Sequence, residues 1–339
     1  MKLVIDFRLQ EKLSPSVSAF MEEFCLGLVR HSPETDFIFL ATPKETESAL
    51  PKNLKVEFLA KSRFAWLDRS RIMAFLKKQL AERYLVIKPD SILIFFINPE
   101  TLTAAGLRQP GSVIVFNRPE GVSASHELAL KPVMGSPVYD SSWTVTESTK
   151  TEYSGGRDYF LFAGEITPQH LLLDLIKAFS IFKKWQQSDM QLIIAGYSGK
   201  YADFLAERLQ SYKYREDVVL IEDPAEEELI RMAAASYAMV YPSTIPVLPV
   251  AIGLAIQAGK AIVASDLPIH RNITEGAVWV SNTNLIDGFS QGMINLYRDE
   301  SQMTALASIN KKLAGENLFD GMMSRAMALI TTGQQSQIS

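Results

Sequence analysis

Side chains able to do chemistry are few in this chain and stand far apart. Four histidines, His31, His126, His170 and His270, show no metal-ligand spacing, and each reads as a surface or loop residue, so no metal site is expected. The one cysteine, Cys25, lies in an apolar helical stretch and reads as a small core residue, which excludes a disulfide framework and fits a reducing compartment. A G-x-G-x-x-G turn after the first strand, a P-loop, a C-x-x-C pair and an H-E-x-x-H helix are all absent. Nicotinamide-dependent hydride transfer, P-loop phosphoryl transfer and zinc hydrolysis therefore lack their apparatus. The run Glu226-Glu227-Glu228 opens a predicted helix, where carboxylates favour the positive end of the dipole; it reads as a stabilising first turn. Two stretches are left to examine. One is Gly164-Glu165-Ile166-Thr167-Pro168-Gln169-His170, just past a predicted strand, and the other is YPSTIPVLPVAIGLAIQAGKAIVASD, from Tyr241 to Asp266.

The second stretch resembles the family 4 glycosyltransferases, whose equivalent reads roughly F-P-S-x-x-E-G-F-G-x-P-x-x-E-A-x-A-x-G-x-P-V-V-A-S-D. In that family two glutamates flank a glycine-rich loop at the mouth of the sugar-nucleotide site. Counted back from Ser265-Asp266, the glutamate positions fall on Pro246 and Leu254, and the loop glycines fall on Val247 and Pro249. Neither Pro246 nor Leu254 can accept a hydrogen bond from a sugar or ribose hydroxyl. The resemblance extends over Tyr153 to Asp266: YSGGRDYFLFAGEITP and LLLDLIKAFSIFKKWQQSDMQLIIAG look like the opening strand-loop-helix-strand of the donor domain, and EEELIRMAAASYAMVYPS like its later helix-strand unit.

The resemblance also says what the site must do. A retaining transfer leaves negative charge on a nucleoside diphosphate, and family members neutralise it with Arg and Lys just after the first donor-domain strand, aided by a helix N-terminus. The corresponding positions here are Glu165, Gln169 and His170, with Gly164 and Gly196 as the neighbouring donor-site positions. A carboxylate about 4 Å from a phosphate, at an effective dielectric of 20, opposes binding by roughly 4 kcal/mol per charge pair. His170 could compensate in part if protonated, but an unperturbed imidazole is mostly neutral at pH 7, and the residue reads as a solvated loop histidine. On the acceptor side, Asp6 to Ser16 contains no glycine where the family commonly has a glycine-rich turn. Asn117 follows Phe116 where a His-Asp pair is usual, and an amide cannot act as a general base. The stretch from Asn117 to Lys150 is shorter than the family's.

Strands and helices alternate along the chain, the pattern of parallel sheets with crossover helices. Strands are expected at Leu3–Ile5, Phe37–Ala41, Ser91–Ile97 and Val113–Phe116, with helices at Ser16–Arg30 and Arg69–Leu85. A second series has strands at Tyr159–Ala163, Gln191–Ala195, Val218–Ile221, Ala238–Tyr241, Ala261–Ala264 and Val278–Val280. Its helices are expected at Leu171–Lys184, Tyr201–Ser211, Ala225–Ala235, Val250–Ala258, Leu285–Arg298 and Ser301–Leu313. Phe179, Phe182 and Trp185 lie at helical spacing and read as core. Between the two series, TKTEYSGGRD from Thr149 to Asp158 has the composition of a linker.

The 339 residues, 47% of them apolar, suffice for two cores. A formal charge of -4 gives no bulk attraction to nucleic acid or anionic lipid, and no apolar run approaches the roughly 18 residues that span a bilayer. The chain reads as cytoplasmic. The fold class implied by the resemblance is α/β of the GT-B type, two facing Rossmann-like domains with parallel sheets. Residues 1–150 would form a shortened acceptor-side domain and 151–315 the donor-side domain, with a C-terminal helix and Gln/Ser-rich tail over 316–339. The helix near Asp320 to Ile330 would return across the first domain.

The expected function is that of a retaining, sugar-nucleotide-dependent glycosyltransferase homologue with ordinary catalysis impaired or lost. No residue is assigned as catalytic and no cofactor is expected. A nucleotide sugar, a glycan or a partner glycosyltransferase are the partners implied. The alternative is an active enzyme using a nucleoside-diphosphate sugar donor, with His170, Lys200, Lys260 or Arg271 standing in for the lost cations.

Overall fold

The computed structural model describes residues 2–6, 25–41, 54–58, 91–95, 112–116, 126–128, 147–244, 250–271, 273–281, 284–315, 324 and 327–328. The chain divides into two compact units, one of Met1–Leu13, Met21–Leu130 and Asp320–Ser339, the other of Ser14–Phe20 and Lys131–Phe319.

The first unit is built on β1 (Lys2–Asp6), β2 (Asp36–Ala41), β3 (Leu54–Phe58), β4 (Ser91–Phe95), β5 (Ser112–Phe116) and β6 (His126–Leu128). All pairs are parallel, in the order β3-β2-β1-β4-β5-β6. The four inner strands were legible as apolar runs, as a sheet covered on both faces requires. The two edge strands were not. LKVEF alternates apolar with charged residues, and HEL is three residues long; both are sheet edges, where one side has no neighbour and the sequence can be polar. Residues 25–31 form helix α1, which buries Cys25, Leu28 and Val29. The helix expected at Arg69–Leu85 and the Asn117 position lie outside the described residues. The segment Asp320–Ser339 groups with this unit, and Ser324 Oγ lies 3.5 Å from His31 Nε2 at the end of α1.

The second unit repeats the strand order. It consists of β7 (Tyr159–Glu165), β8 (Gln191–Tyr197), β9 (Val218–Glu222), β10 (Ala238–Tyr241), β11 (Ile262–Ser265) and β12 (Ala277–Val280). They pair in parallel in the order β12-β11-β10-β7-β8-β9. Counted within the unit this is 3-2-1-4-5-6, the doubly wound arrangement whose switch point lies between the first and fourth strands, here β7 and β10. The helices are α2 (Glu147–Ser154), α3 (Leu172–Gln186), α4 (Lys200–Leu209), α5 (Glu226–Ala235), α6 (Val250–Gln257), α7 (Pro268–Arg271), α8 (Leu285–Arg298) and α9 (Glu300–Gly315). The stretch read as a linker thus begins as helix. The Ser154 hydroxyl folds back onto the Lys150 and Arg157 carbonyls, and Gly155 and Gly156 take positive φ to end the helix.

The core of this unit is aromatic at its centre. Phe160 on β7 meets Phe182 edge-on at 5.2 Å, Phe179 stacks on Phe182 at 5.9 Å, and the buried Tyr159 hydroxyl donates to the Met232 carbonyl at 2.7 Å. Trp185 corrects the sequence reading, since it is 65% exposed. Each three-residue step along a helix turns about 60° short of a full circle, so Phe179 and Phe182 share the core-facing stripe and Trp185 has rotated off it. At the N-terminal edge of β11, buried Asn310 of α9 donates to the Lys260 and Gly276 carbonyls and accepts from Thr274 Oγ1, which pins α9 to the sheet. The acidic triplet opens α5 as expected, with Glu228 accepting from the Ala225 amide at 2.8 Å.

Gly164 and Gly196 face each other in the β7–β8 register, and a Cβ on Gly196 would run into the Gly164 carbonyl oxygen. The obstacle is backbone, which cannot rotate aside. Gly196→Ala is expected to destabilise the second unit by about 3 kcal/mol, read as a lowered midpoint in urea or thermal unfolding.

Candidate functional site

In open α/β sheets ligands bind beyond the carboxyl ends of the strands, at the switch point. In the second unit this places the site where β7 ends at Gly164-Glu165 and β10 ends at Tyr241, followed by Pro242 and Ser243. The two loops are tied together: Thr244 donates through both its amide, at 3.0 Å, and its hydroxyl, at 3.2 Å, to the Gln169 carbonyl. Between them lies an aromatic cluster. Tyr241 stacks parallel to Phe162 with centroids 6.0 Å apart, and its ring lies 5.5 Å from both His170 and His270.

Both histidines differ from the sequence reading, which placed them on the surface. His170 ends a 3₁₀ turn over Pro168–His170 and is 6% exposed; its Nε2 lies 3.2 Å from the Tyr241 hydroxyl and its Nδ1 3.1 Å from Thr167 Oγ1. Burial pushes its pKa down to about 4, against a smaller upward pull from the Glu165 backbone. His270, in α7 beyond β11, is fully buried, and burial lowers it to about 4 as well. A carbonyl can only accept, so the 2.8 Å contact to the Ser265 carbonyl puts the proton on His270 Nδ1 and leaves Nε2 a bare acceptor, unpartnered among the described residues. His170 is therefore a neutral aromatic spacer under the loop. Its burial opposes its supplying positive charge to a phosphate near pH 7. No local signal revealed this, because the burying rings, Phe162 and Tyr241, come from two different strands.

The other expected positions divide as follows. Gly164, at φ 157°, ends β7 in a conformation that favours glycine, and buried Gly196 packs against it. Glu165 is half-buried, and its charge adds to burial in raising the Tyr241 phenol. Pro246 lies outside the described residues, as do Val247 and Pro249. Leu254 is 3% exposed and belongs to the apolar core on α6. The position at which the family pattern places a hydroxyl-binding glutamate is here a packing residue.

The possible substitute cations are likewise dispersed. Lys260 precedes β11 and sits at the opposite edge of the sheet, where burial lowers its pKa. Lys200 is exposed at the start of α4. Arg271 is engaged by Asp266, with Nε to Oδ1 and Nη2 to Oδ2 at 2.8 Å, and its guanidinium lies 5.2 Å from the Trp279 ring centre. Sequence reading missed the Asp223 clamp. Asp223, in the left-handed region after β9, accepts from the Ser198 amide at 2.9 Å and hydroxyl at 2.6 Å, so the loop leading into α4 is closed by an internal carboxylate. Among the described residues no group of three or more His, Cys, Asp or Glu side chains could hold a metal ion, and no helix is long and apolar enough to cross a membrane.

Residues 146–313 match the family model described as glycosyl transferases group 1. No curated protein sequence matches the chain. Among solved structures it is similar to sucrose-phosphate synthase from Thermosynechococcus elongatus, at 10% identity and a TM-score of 0.72, with all of both chains covered. It is also similar to Anabaena HepE in complex with UDP-glucose, at 14% identity and a TM-score of 0.70 over 98% of this chain and all of that one. A third structure, WaaG, a glycosyltransferase involved in lipopolysaccharide biosynthesis, shares 12% identity and a TM-score of 0.65 over 98% of this chain and all of that one. These likenesses establish the α/β fold of GT-B glycosyltransferases with its two parallel sheets.

Two outcomes follow from the buried groups. Folded-state pKa values near 4, against about 6.5 unfolded, mean that the unfolded chain binds more protons as pH falls, so this part of stability is complete above pH 6.5 and lost through pH 4. Each histidine should remove about 3 kcal/mol by pH 4, and urea melts of His170→Gln and His270→Gln should show a shallower pH slope than the parent. Leu254→Glu should destabilise by about 3–5 kcal/mol, visible in the same melts, because it puts a carboxyl into the apolar core.

Proposed function

We propose that the chain, whose residues 146–313 match the family model described as glycosyl transferases group 1, is a glycosyltransferase homologue in which ordinary sugar transfer is impaired or lost. The observation that carries this reading is the neutral, buried His170 at the strand end where the family's chemistry needs a cation. Glu165 adds negative charge beside it, Asp223 closes the loop into α4, and Leu254 has joined the core. Each departure weakens the hold on a leaving diphosphate or on donor hydroxyls. The protein then acts as a sugar-binding module or as a scaffold for a partner glycosyltransferase, in the cytoplasm.

A second reading has a specific support. Lys200 and Arg271 keep positive charge at the carboxyl edge of the second sheet, which leaves room for an active enzyme with altered donor handling.

Calorimetry separates the two. Loss of two charge-assisted contacts, roughly 1.5–3 kcal/mol each, should leave UDP, GDP, UDP-glucose and GDP-sugars binding at about millimolar or weaker. Binding tighter than about 10 μM, or release of free sugar from any of these donors, would put the active enzyme first. Glu165→Arg should tighten nucleotide binding about tenfold or more, since it exchanges repulsion for attraction. His170→Lys should not help: it buries an ammonium among aromatic rings and should lower the unfolding midpoint instead.

A further inference from the structure

Among the described residues Arg271 is the one guanidinium at the carboxyl edge of the second sheet, and its surroundings are built rather than incidental. Asp266 is the first residue beyond β11, and its amide donates to the Val280 carbonyl of β12 at 2.8 Å, which fixes the backbone that carries the carboxylate. Arg271 closes α7, its own amide donating to the Leu267 carbonyl at 3.1 Å. The guanidinium meets Asp266 through two parallel contacts, Nε to Oδ1 and Nη2 to Oδ2, while its face rests over Trp279. The same planar fork is what a phosphate group engages with two of its oxygens. The side chains are 52% and 35% exposed, so the pair faces water, and an exposed ion pair holds its partners only weakly.

We propose that Arg271 is a receiving site for a phosphate-type anion, with Asp266 as the built-in competitor that occupies the fork until such an anion displaces it. This rests on the reading of a weakened donor site and deepens it: the site is weak partly because one of its remaining cations, Arg271, is already paired from within. The chemistry recognised is the phosphate or diphosphate group itself. Trp279 is the natural reporter, because exchange of one anion for another shifts the cation stacked on its ring.

The test titrates inorganic pyrophosphate, UDP and uridine into the full-length protein, its Asp266→Asn, Arg271→Gln and doubly substituted variants, followed by calorimetry and tryptophan fluorescence, with Trp279→Phe to assign the signal. Asp266→Asn should tighten pyrophosphate and UDP about tenfold, with a change in Trp279 emission, leave uridine unaffected, and lose the gain when Arg271→Gln is added. A gain equal for pyrophosphate and UDP marks the phosphates as the feature read. Unchanged affinity in Asp266→Asn, or a gain that survives Arg271→Gln, overturns the proposal while leaving the weakened-donor reading intact. Micromolar UDP binding by the parent protein would instead sink the weakened-donor reading, and with it this proposal if Arg271→Gln had no effect.

Discussion

Everything in the second unit hangs on β7. The strand is buried along Tyr159–Ala163, pairs with β8 on one side and β10 on the other, and so joins two halves of the unit that are separated in sequence by the whole of β8 to α5. Because a parallel sheet leaves no face to water, β7 must be apolar throughout, and YFLFA is. Its end is fixed by a second constraint, the close approach of Gly164 and Gly196, which allows no side chain between the two strands. The loops that could bind anything start from these two fixed points, and the positions of Glu165, Thr167 and His170 are consequences.

That origin explains why the loop after β7 closes inward. Ile166 donates its amide to the Tyr197 carbonyl, the 3₁₀ turn swings His170 beneath the loop, and Thr244 ties the far side to Gln169. The resulting floor of Phe162, His170, Tyr241 and His270 is polarisable and uncharged. Two carboxylates nearby have internal partners, Asp223 the Ser198 amide and hydroxyl and Asp266 the Arg271 guanidinium. Such an arrangement stabilises the loops without needing a ligand.

The sheet architecture was readable from sequence because buried parallel strands leave a one-dimensional signal. IIAG, AMVY and AIVAS are apolar runs bounded by breaks, and helix α8 begins and ends where its 3.6-residue period does. The edge strands of the first sheet, β3 and β6, escaped because nothing compels an edge to be apolar, whereas β9 and β12, the edges of the second, kept apolar runs and were legible. The site was readable only as a set of departures: Leu254 and Glu165 stand out against a family pattern, and the apolar helix around Leu254 already implied burial. His170 and His270 could not be read. Each has one polar and one apolar neighbour, Gln169 and Leu171 for the first and Arg271 and Ile269 for the second, which decides nothing, and the rings that bury them arrive through strand pairing. Trp185 failed the other way, since spacing alone does not fix where a helical stripe ends.

The first unit is assembled from segments on either side of Lys131–Phe319, the bulk of the second unit. During synthesis at the ribosome, β1 to β6 emerge before any of β7 to α9, while the Asp320–Ser339 segment that groups with them comes out after α9. The second unit is complete by then, closed by α9 through Asn310, and can fold as an autonomous body. The earlier-made sheet waits for that segment through the synthesis of nearly two hundred further residues. Its exposure to chaperones and to aggregation is therefore set by elongation speed, and the unit begun earlier is completed after the other.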